Sequence, residues 1–293
     1  MTADDMVTRL VAWGAARADV RALLVIGSRA RTASPADRWS DLDVVLVTTD
    51  IAPYLDGGGW VDALGEPWLT YRERTATGAR TERRALFDGA LDVDFVVIPA
   101  TEFTEIVAGD LPCEVAYVLS RGYRILLDKD GVAGAIGSPA RPPPVKPSQA
   151  QFTNVVHDFW YHAVWVTKKL LRGELWTALG GLTYMHHNAM LPMVTWHAKA
   201  RHGWGFETWH GGRYLETWAD AQTVEDLRGA FARYEPDDVE RALLATMTLF
   251  ARLAAETALE LGYAYPQGAE RSVTSWISGA RDESSRPSRA DPE

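Results

Sequence analysis

Residues 131–147 hold five prolines, Pro139, Pro142, Pro143, Pro144 and Pro147, together with Gly131, Gly134 and Gly137. A proline ring fixes φ and removes a backbone donor, so neither a helix interior nor a central strand runs through such a stretch. The chain must therefore fold as two pieces joined by a connector, and the hydrophobic periodicity differs on the two sides. Before the connector, a helical opening built on Met6, Leu10, Val11 and Trp13 leads into short apolar runs at 22–26, 44–47, 68–71, 85–87 and 93–98. These read as about five strands, the last two flanking the turn dipeptide Asp88-Gly89 of a hairpin. After the connector the spacing is helical. Residues 152–171 place Phe152, Val155, Val156, Phe159, Trp160, Ala163, Val164 and Leu171 on one broad face, and 174–200 and 237–261 read as further helices. Most tryptophans of this half, Trp165, Trp176 and Trp196 among them, read as helix-packing core. The expected architecture is α+β: a mixed sheet with flanking helices over 1–130, a linker over 131–148, a C-terminal α-helical bundle over 149–278 and a disordered tail over 279–293.

Charge narrows the partners. Thirty Lys and Arg against 39 Asp and Glu leave a formal charge of −9. That balance lacks the cationic footprint a nucleic-acid backbone needs and is compatible with a cationic small molecule. The single cysteine, Cys113, excludes an internal disulfide and any cysteine-based zinc site, and fits a reducing cytoplasm. The first residues lack the regions of a secretion signal, and no uninterrupted apolar run approaches the ~18 residues of a membrane span. A cytoplasmic protein without a membrane partner is expected; nothing in the sequence speaks to its oligomeric state.

The segment that carries chemistry is Gly27-Ser28, then the twelve residues Arg29 to Ser40, then Asp41-Leu42-Asp43 entering an apolar strand. Side chains alternate along a strand, so Asp41 and Asp43 point the same way while Leu42 faces a core. Two carboxylates held together repel unless a cation lies between them, and Mg2+ suits oxygen ligands shared with substrate phosphates. Gly27 permits a tight turn with close backbone approach to a phosphate, and Ser28 adds a hydroxyl. Asp92 and Asp94 on the hairpin's second strand offer a further same-face pair. A third carboxylate on a neighbouring strand would complete a metal site for in-line phosphoryl displacement. An isolated Asp-x-Asp is ordinarily a solvated strand end; the combination points to nucleotidyl transfer.

These residues resemble the DNA polymerase beta-like nucleotidyltransferase superfamily and, within it, the aminoglycoside 6-adenylyltransferases (streptomycin adenylyltransferases). The likeness runs nearly end to end. It includes Gly27-Ser28-Arg29, Ser40-Asp41-Leu42-Asp43, Leu86-Phe87-Asp88-Gly89 through Val93-Asp94-Phe95, Asp158-Phe159-Trp160 with Lys168, Met193-Val194-Thr195-Trp196 and Leu261-Gly262-Tyr263-Ala264-Tyr265-Pro266. The resemblance implies an N-terminal nucleotidyltransferase domain and a helical substrate-binding domain, with ATP and the aminoglycoside meeting in the cleft between them. It implies that Asp41 and Asp43 hold Mg2+, and that Asp94 is the third catalytic carboxylate, as metal ligand or as base, with Asp92 a bystander. Gly27, Ser28, Arg29 and Lys168 become candidates for binding ATP, and Asp158 and Trp160 for binding a cationic acceptor. The chain departs from several family members at Arg31 and Ala33, where they carry Asn, and at Gly212 and Leu215, where they carry Lys.

Other features are plainer. Arg83 and Arg84 could assist a leaving pyrophosphate, although arginines at strand ends are usually surface charge. His186, His187, His197, His202 and His210 fit no zinc spacing. The activity expected is Mg2+-dependent O-adenylylation of an aminoglycoside, conferring antibiotic resistance. The alternatives are the same chemistry on a lincosamide or a protein hydroxyl, or a non-catalytic binding protein of the same fold.

Overall fold

The apolar runs of the first half form one mixed sheet with a core on each face. A computed structural model describes residues 1–31, 36–75, 78 and 80–284, and the chain divides into two units at Pro142 and Pro143. In the first unit, helix α1 (Ala3–Ala15) opens on a capping box in which Thr2 and Asp5 satisfy each other's backbone N–H groups. It leads to β1 (Val20–Ile26), β2 (Leu42–Thr48), the single-turn helix α2 (Ala52–Leu55), β3 (Pro67–Arg74), β4 (Thr81–Phe87) and β5 (Leu91–Pro99). Helices α3 (Ala100–Ala108) and α4 (Cys113–Ser120) precede β6 (Arg124–Asp128). The strand order is β3-β4-β5-β2-β1-β6, with β2 and β5 parallel and the other pairs antiparallel.

Alternation along β2 explains why its run is continuously apolar. Leu42, Val44 and Leu46 pack with Met6 and Leu10 of α1, whereas Val45 and Val47 pack on the opposite face with Ile98 and Phe103. A strand covered on both faces has no polar side. The hairpin at Asp88-Gly89 forms as expected, with Gly89 at φ 80° and Ala90 at φ 55°.

Three sequence readings need correction in this unit. A sixth strand, β6, completes the sheet at the edge beside β1; its outer residues are exposed, so no clean alternation marks it. The apolar alternation of β3 reflects no core, because β3 is the other edge strand and Trp68 and Leu69 are exposed. The connector is also shorter than 131–148, since Ala133 and Ile136 form a buried turn against Ala22 and Leu24.

The second unit is helical. Helix α5 (Gln149–Leu171) starts on a Ser148–Gln151 capping box, followed by α6 (Leu175–Met185) and α7 (Leu191–His202). Then come α8 (Leu215–Trp218), α9 (Ala221–Ala230), α10 (Pro236–Leu261) and α11 (Gln267–Ser284). Phe152, Val156, Phe159, Trp160, Ala163 and Val166 form the buried stripe of α5, and Phe159 stacks on Phe250 of α10 at 3.7 Å. The single helix expected over 174–200 is two helices joined by a π turn, His186–Met190. Pro192 has no N–H and its ring crowds the carbonyl four residues back, and a widened turn relieves that crowding.

One further reading changes, that of the tail. Helix α10 is apolar and long enough to cross a bilayer, with mean hydropathy 1.4, but 56% of that window is buried inside the protein, which identifies it as a core helix. Helix α11 extends to Ser284 and buries Ile277, so the tail expected to be disordered from 279 is helical at its start. Residues 285–293 lie outside the described residues.

Helices α5 and α6 touch at Gly181, where a Cβ would come within 2.6 Å of the Trp165 ring and 2.8 Å of Val166. Alanine there gains about 1 kcal/mol of helix propensity and meets overpacking worth about 1–3 kcal/mol. Gly181→Ala should therefore lower the urea midpoint, while Gly180→Ala, whose Cβ enters open space, should raise it.

Candidate active site

The sheet register brings the acidic residues together at the end where β1 finishes and β2 begins. Ile26 pairs with Asp43, Asp43 with Asp94, and Asp94 with Arg84, so one row crosses four strands from β1 to β4. Asp41, two residues before Asp43, lies on the same side. One carboxylate oxygen from each of Asp41, Asp43 and Asp94 lies within 4.8 Å of the others. Among the described residues this is the one cluster of three such side chains that could hold a metal ion.

The Gly-Ser turn is shaped around these acids. Gly27 has φ 68°, a region glycine enters freely, and a Cβ there would overlap the Asp43 carboxylate. Ser28 is buried, and its hydroxyl donates towards Asp41, at 3.4 Å from both the backbone carbonyl and Oδ1. Arg29 turns back on the chain: its guanidinium donates to the carbonyls of Asp41 at 3.0 Å, Ser40 at 2.6 Å and Asp37 at 3.4 Å. In this structure the side chain holds the approach to Asp41, a role distinct from the phosphate contact expected of it.

Opposite Asp94, Arg84 lies 3.3 Å from its Oδ2, 2.9 Å from Glu82 and 3.1 Å from Glu73. Glu82 is 5% exposed. Burial pushes the Asp94 carboxyl up to about 6 from an ordinary 3.8; Arg84 opposes this, and Glu82, Asp41 and Asp92 add to it. The guanidinium of Arg84 loses hydration, yet its hydrogen bond to Glu82 and its carboxylate neighbours hold its own pKa up. Arg83, next to it, faces the other way. It is buried and donates to the carbonyls of Tyr54, Leu55 and Gly57 at the end of α2, which leaves it no part in a phosphate site. Glu82 escaped the sequence reading, because only the pairing of β4 with β5 brings it and its strand neighbour Arg84 to Asp94.

The donor set fits a hard divalent cation. Three carboxylate oxygens converge within 4.8 Å of one another from β5 and the start of β2, the hard oxygen set such a cation takes. The histidines do not form a rival site. His197 is buried, with Nε2 2.7 Å from Glu256 and Nδ1 3.5 Å from Asp220. His186 contacts Thr246, and burial lowers its pKa to about 4.

The second unit holds the remaining candidates. The Asp158 carboxylate lies 3.2 Å from His162 Nδ1. Trp160 is 2% exposed and packs edge-on against Phe159 and Phe250, so the reading that turned it towards a ligand is overturned. Its position on the apolar stripe of α5 decides the matter. Lys168 is exposed, with its ammonium 5.6 Å from the Trp276 ring of α11.

The raised Asp94 pKa has a stability consequence. The folded state binds this proton more tightly than the unfolded chain, so the contribution is fully present below about pH 4 and is lost as pH rises through about 6. In metal-free protein at pH 8, Asp94→Asn should be more stable than the parent by up to about 3 kcal/mol. Denaturant titrations in chelator across pH 4–8 should show that advantage vanishing at the acid end.

The model of the streptomycin adenylyltransferase family matches residues 1–280. An aminoglycoside 6-adenylyltransferase of Campylobacter jejuni is 23% identical over 257 residues, covering 84% of this chain and 85% of that protein. One from Staphylococcus aureus is 21% identical over 224 residues, covering 73% and 76%. The crystal structure of an aminoglycoside 6-adenyltransferase from Bacillus subtilis aligns over 95% of this chain and 97% of its own, at 17% identity and a TM-score of 0.45. With the family model spanning both units from residue 1 to residue 280, the chain belongs to the streptomycin adenylyltransferase family of nucleotidyltransferases.

Proposed function

We propose that the chain is a Mg2+-dependent O-adenylyltransferase that moves AMP from ATP to a hydroxyl of a cationic, streptomycin-like aminoglycoside. The observation that supports this most directly is the convergence of Asp41, Asp43 and Asp94 beside the Gly27-Ser28 turn. The names of the relatives supply the acceptor class. In the reaction the acceptor oxygen forms a bond to the α-phosphorus of ATP, the bond from that phosphorus to the bridging oxygen breaks, and pyrophosphate leaves. The hydroxyl proton passes to a base.

Asp41 and Asp43 hold the metal, which when bound neutralises charge on the phosphate oxygens. Asp94 completes the set, as third ligand or as the carboxylate that accepts the hydroxyl proton; Arg84 on its Oδ2 restrains the side chain in either role. The Gly27-Ser28 backbone lies where phosphate oxygens can approach. Transfer of this kind calls for placement and charge compensation more than covalent help, which a rigid strand pair provides. Asp158 on the second unit is the acid we assign to the cationic acceptor. Adenylylation adds bulk and negative charge to the drug, which removes its fit to the ribosome and confers resistance. The exposed free thiol of Cys113 and the use of ATP both suit the cytoplasm.

Incubation with streptomycin, ATP and Mg2+ should give a product heavier by one adenylyl group, with pyrophosphate released and with chelator abolishing both. Mass gain on a lincosamide or a protein, and none across an aminoglycoside panel, would reassign the acceptor. Asp41→Ala and Asp43→Ala should each lower turnover on the order of a thousandfold while the protein stays folded; near-normal pyrophosphate release from either would overturn the metal assignment. Gly27→Ala should reduce turnover about a hundredfold by displacing the Asp43 carboxylate, with far-UV circular dichroism unchanged.

A further inference from the structure

The α5–α6 hairpin exposes rings where a surface helix pair ordinarily exposes charge. On α6, Trp176, Gly180, Gly181 and Tyr184 share one face, and His162 and Trp165 of α5 line the same cleft, whose volume is about 400 Å3. Trp176 is 79% exposed, the reverse of the core position its sequence context suggests. Trp165 lies directly over Gly181, while a Cβ at Gly180 would project into open space. The Tyr184 and His162 rings, 4.4 Å apart, stand together on one wall.

The polar chemistry at that wall is mostly of one kind. His162 Nδ1 lies 2.9 Å from the Asp158 carbonyl, which can only accept, so Nδ1 carries a proton and donates it there. Asp158 places its carboxylate 3.2 Å from the same ring. Aromatic faces are themselves weak acceptors that attract cations. Lys169, 5.2 Å from the Trp165 ring, is engaged by Glu174 at 2.7 Å, and Arg172 by the same carboxylate at 2.6 Å. Indole and phenol faces with a carboxylate beside one wall and open space over Gly180 suit a saturated, donor-rich ring that carries a guanidinium or ammonium group.

We propose that this cleft is the binding site for the cationic ring of the acceptor, with Trp176 and Tyr184 against the ring, Asp158 pairing with its cation and His162 hydrogen-bonding a hydroxyl. The proposal rests on the acceptor class argued above. It places the recognition of the acceptor on the exposed face of α5 and α6, opposite the buried stripe that holds Trp160.

The test uses the full chain and streptomycin as the probe, with binding followed by calorimetry without ATP and modification followed by mass. Gly180→Leu fills the cleft from a position whose Cβ meets nothing, and leucine favours the helix, so folding is preserved and is checked by thermal melting. Gly180→Leu and Trp176→Ala should each weaken streptomycin binding about tenfold or more, and Trp176→Phe should restore most of it. If the parent modifies streptomycin and both variants bind it as the parent does, the cleft assignment falls and the activity stands. Binding that is lost in Gly180→Leu from a parent that modifies no aminoglycoside would keep the cleft and overturn the activity. A parent that neither binds nor modifies streptomycin overturns both, and weakened ATP binding in place of streptomycin binding overturns the cleft assignment alone.

Discussion

Carboxylates crowded within 4.8 Å repel one another, and a flexible chain would let them part. Here parallel pairing of β2 with β5 prevents it. The register that sets Val44 beside Phe95 and Leu46 beside Val97 in one core also sets Asp43 beside Asp94 at the end of the row. A slip by one residue would move each of these side chains into the core on the opposite face, out of the packing built for it, so the two cores enforce an electrostatic arrangement that is unfavourable in isolation. The energy that holds the acids together is therefore spread over both faces of the sheet.

Local charges then moderate what the register imposes. Arg84 lies among Asp94, Glu82 and Glu73, and its side chain is only partly exposed, so Asp94 is steadied without being fully neutralised. Its neighbour Arg83, pointing the opposite way along the same strand, ties the end of α2 to the sheet. Two adjacent arginines thus serve unrelated ends because a strand sends successive side chains to opposite faces.

The same alternation decides how much could be read in advance. That Asp41 and Asp43 share a side follows from strand spacing, and a two-unit chain follows from the prolines between 139 and 147. The partnership of Arg84 and Glu82 with Asp94 depends on which strands become neighbours, a long-range fact that local pattern does not encode. Trp160 shows a different limit. Its helical spacing places it among Phe152, Val156 and Phe159, and family resemblance drew it towards a ligand; packing prevailed. Trp176 erred the other way, because bulk and hydrophobicity suggest burial while its place on α6 faces away from α10 and the core. The π turn after α6 and the edge strand β6 were hidden for local reasons, a proline two residues into α7 and a strand too exposed to alternate.

Arg29 has a bearing on how this molecule can vary. Every partner it takes at 37, 40 and 41 is a main-chain carbonyl, which any amino acid supplies. The segment that leaves the Gly-Ser turn is thus drawn closed at its neck before it reaches the acids. A change of side chain at 37 or 40 therefore leaves Arg29 its acceptors, and the chain ends that meet there stay where the carboxylates require them.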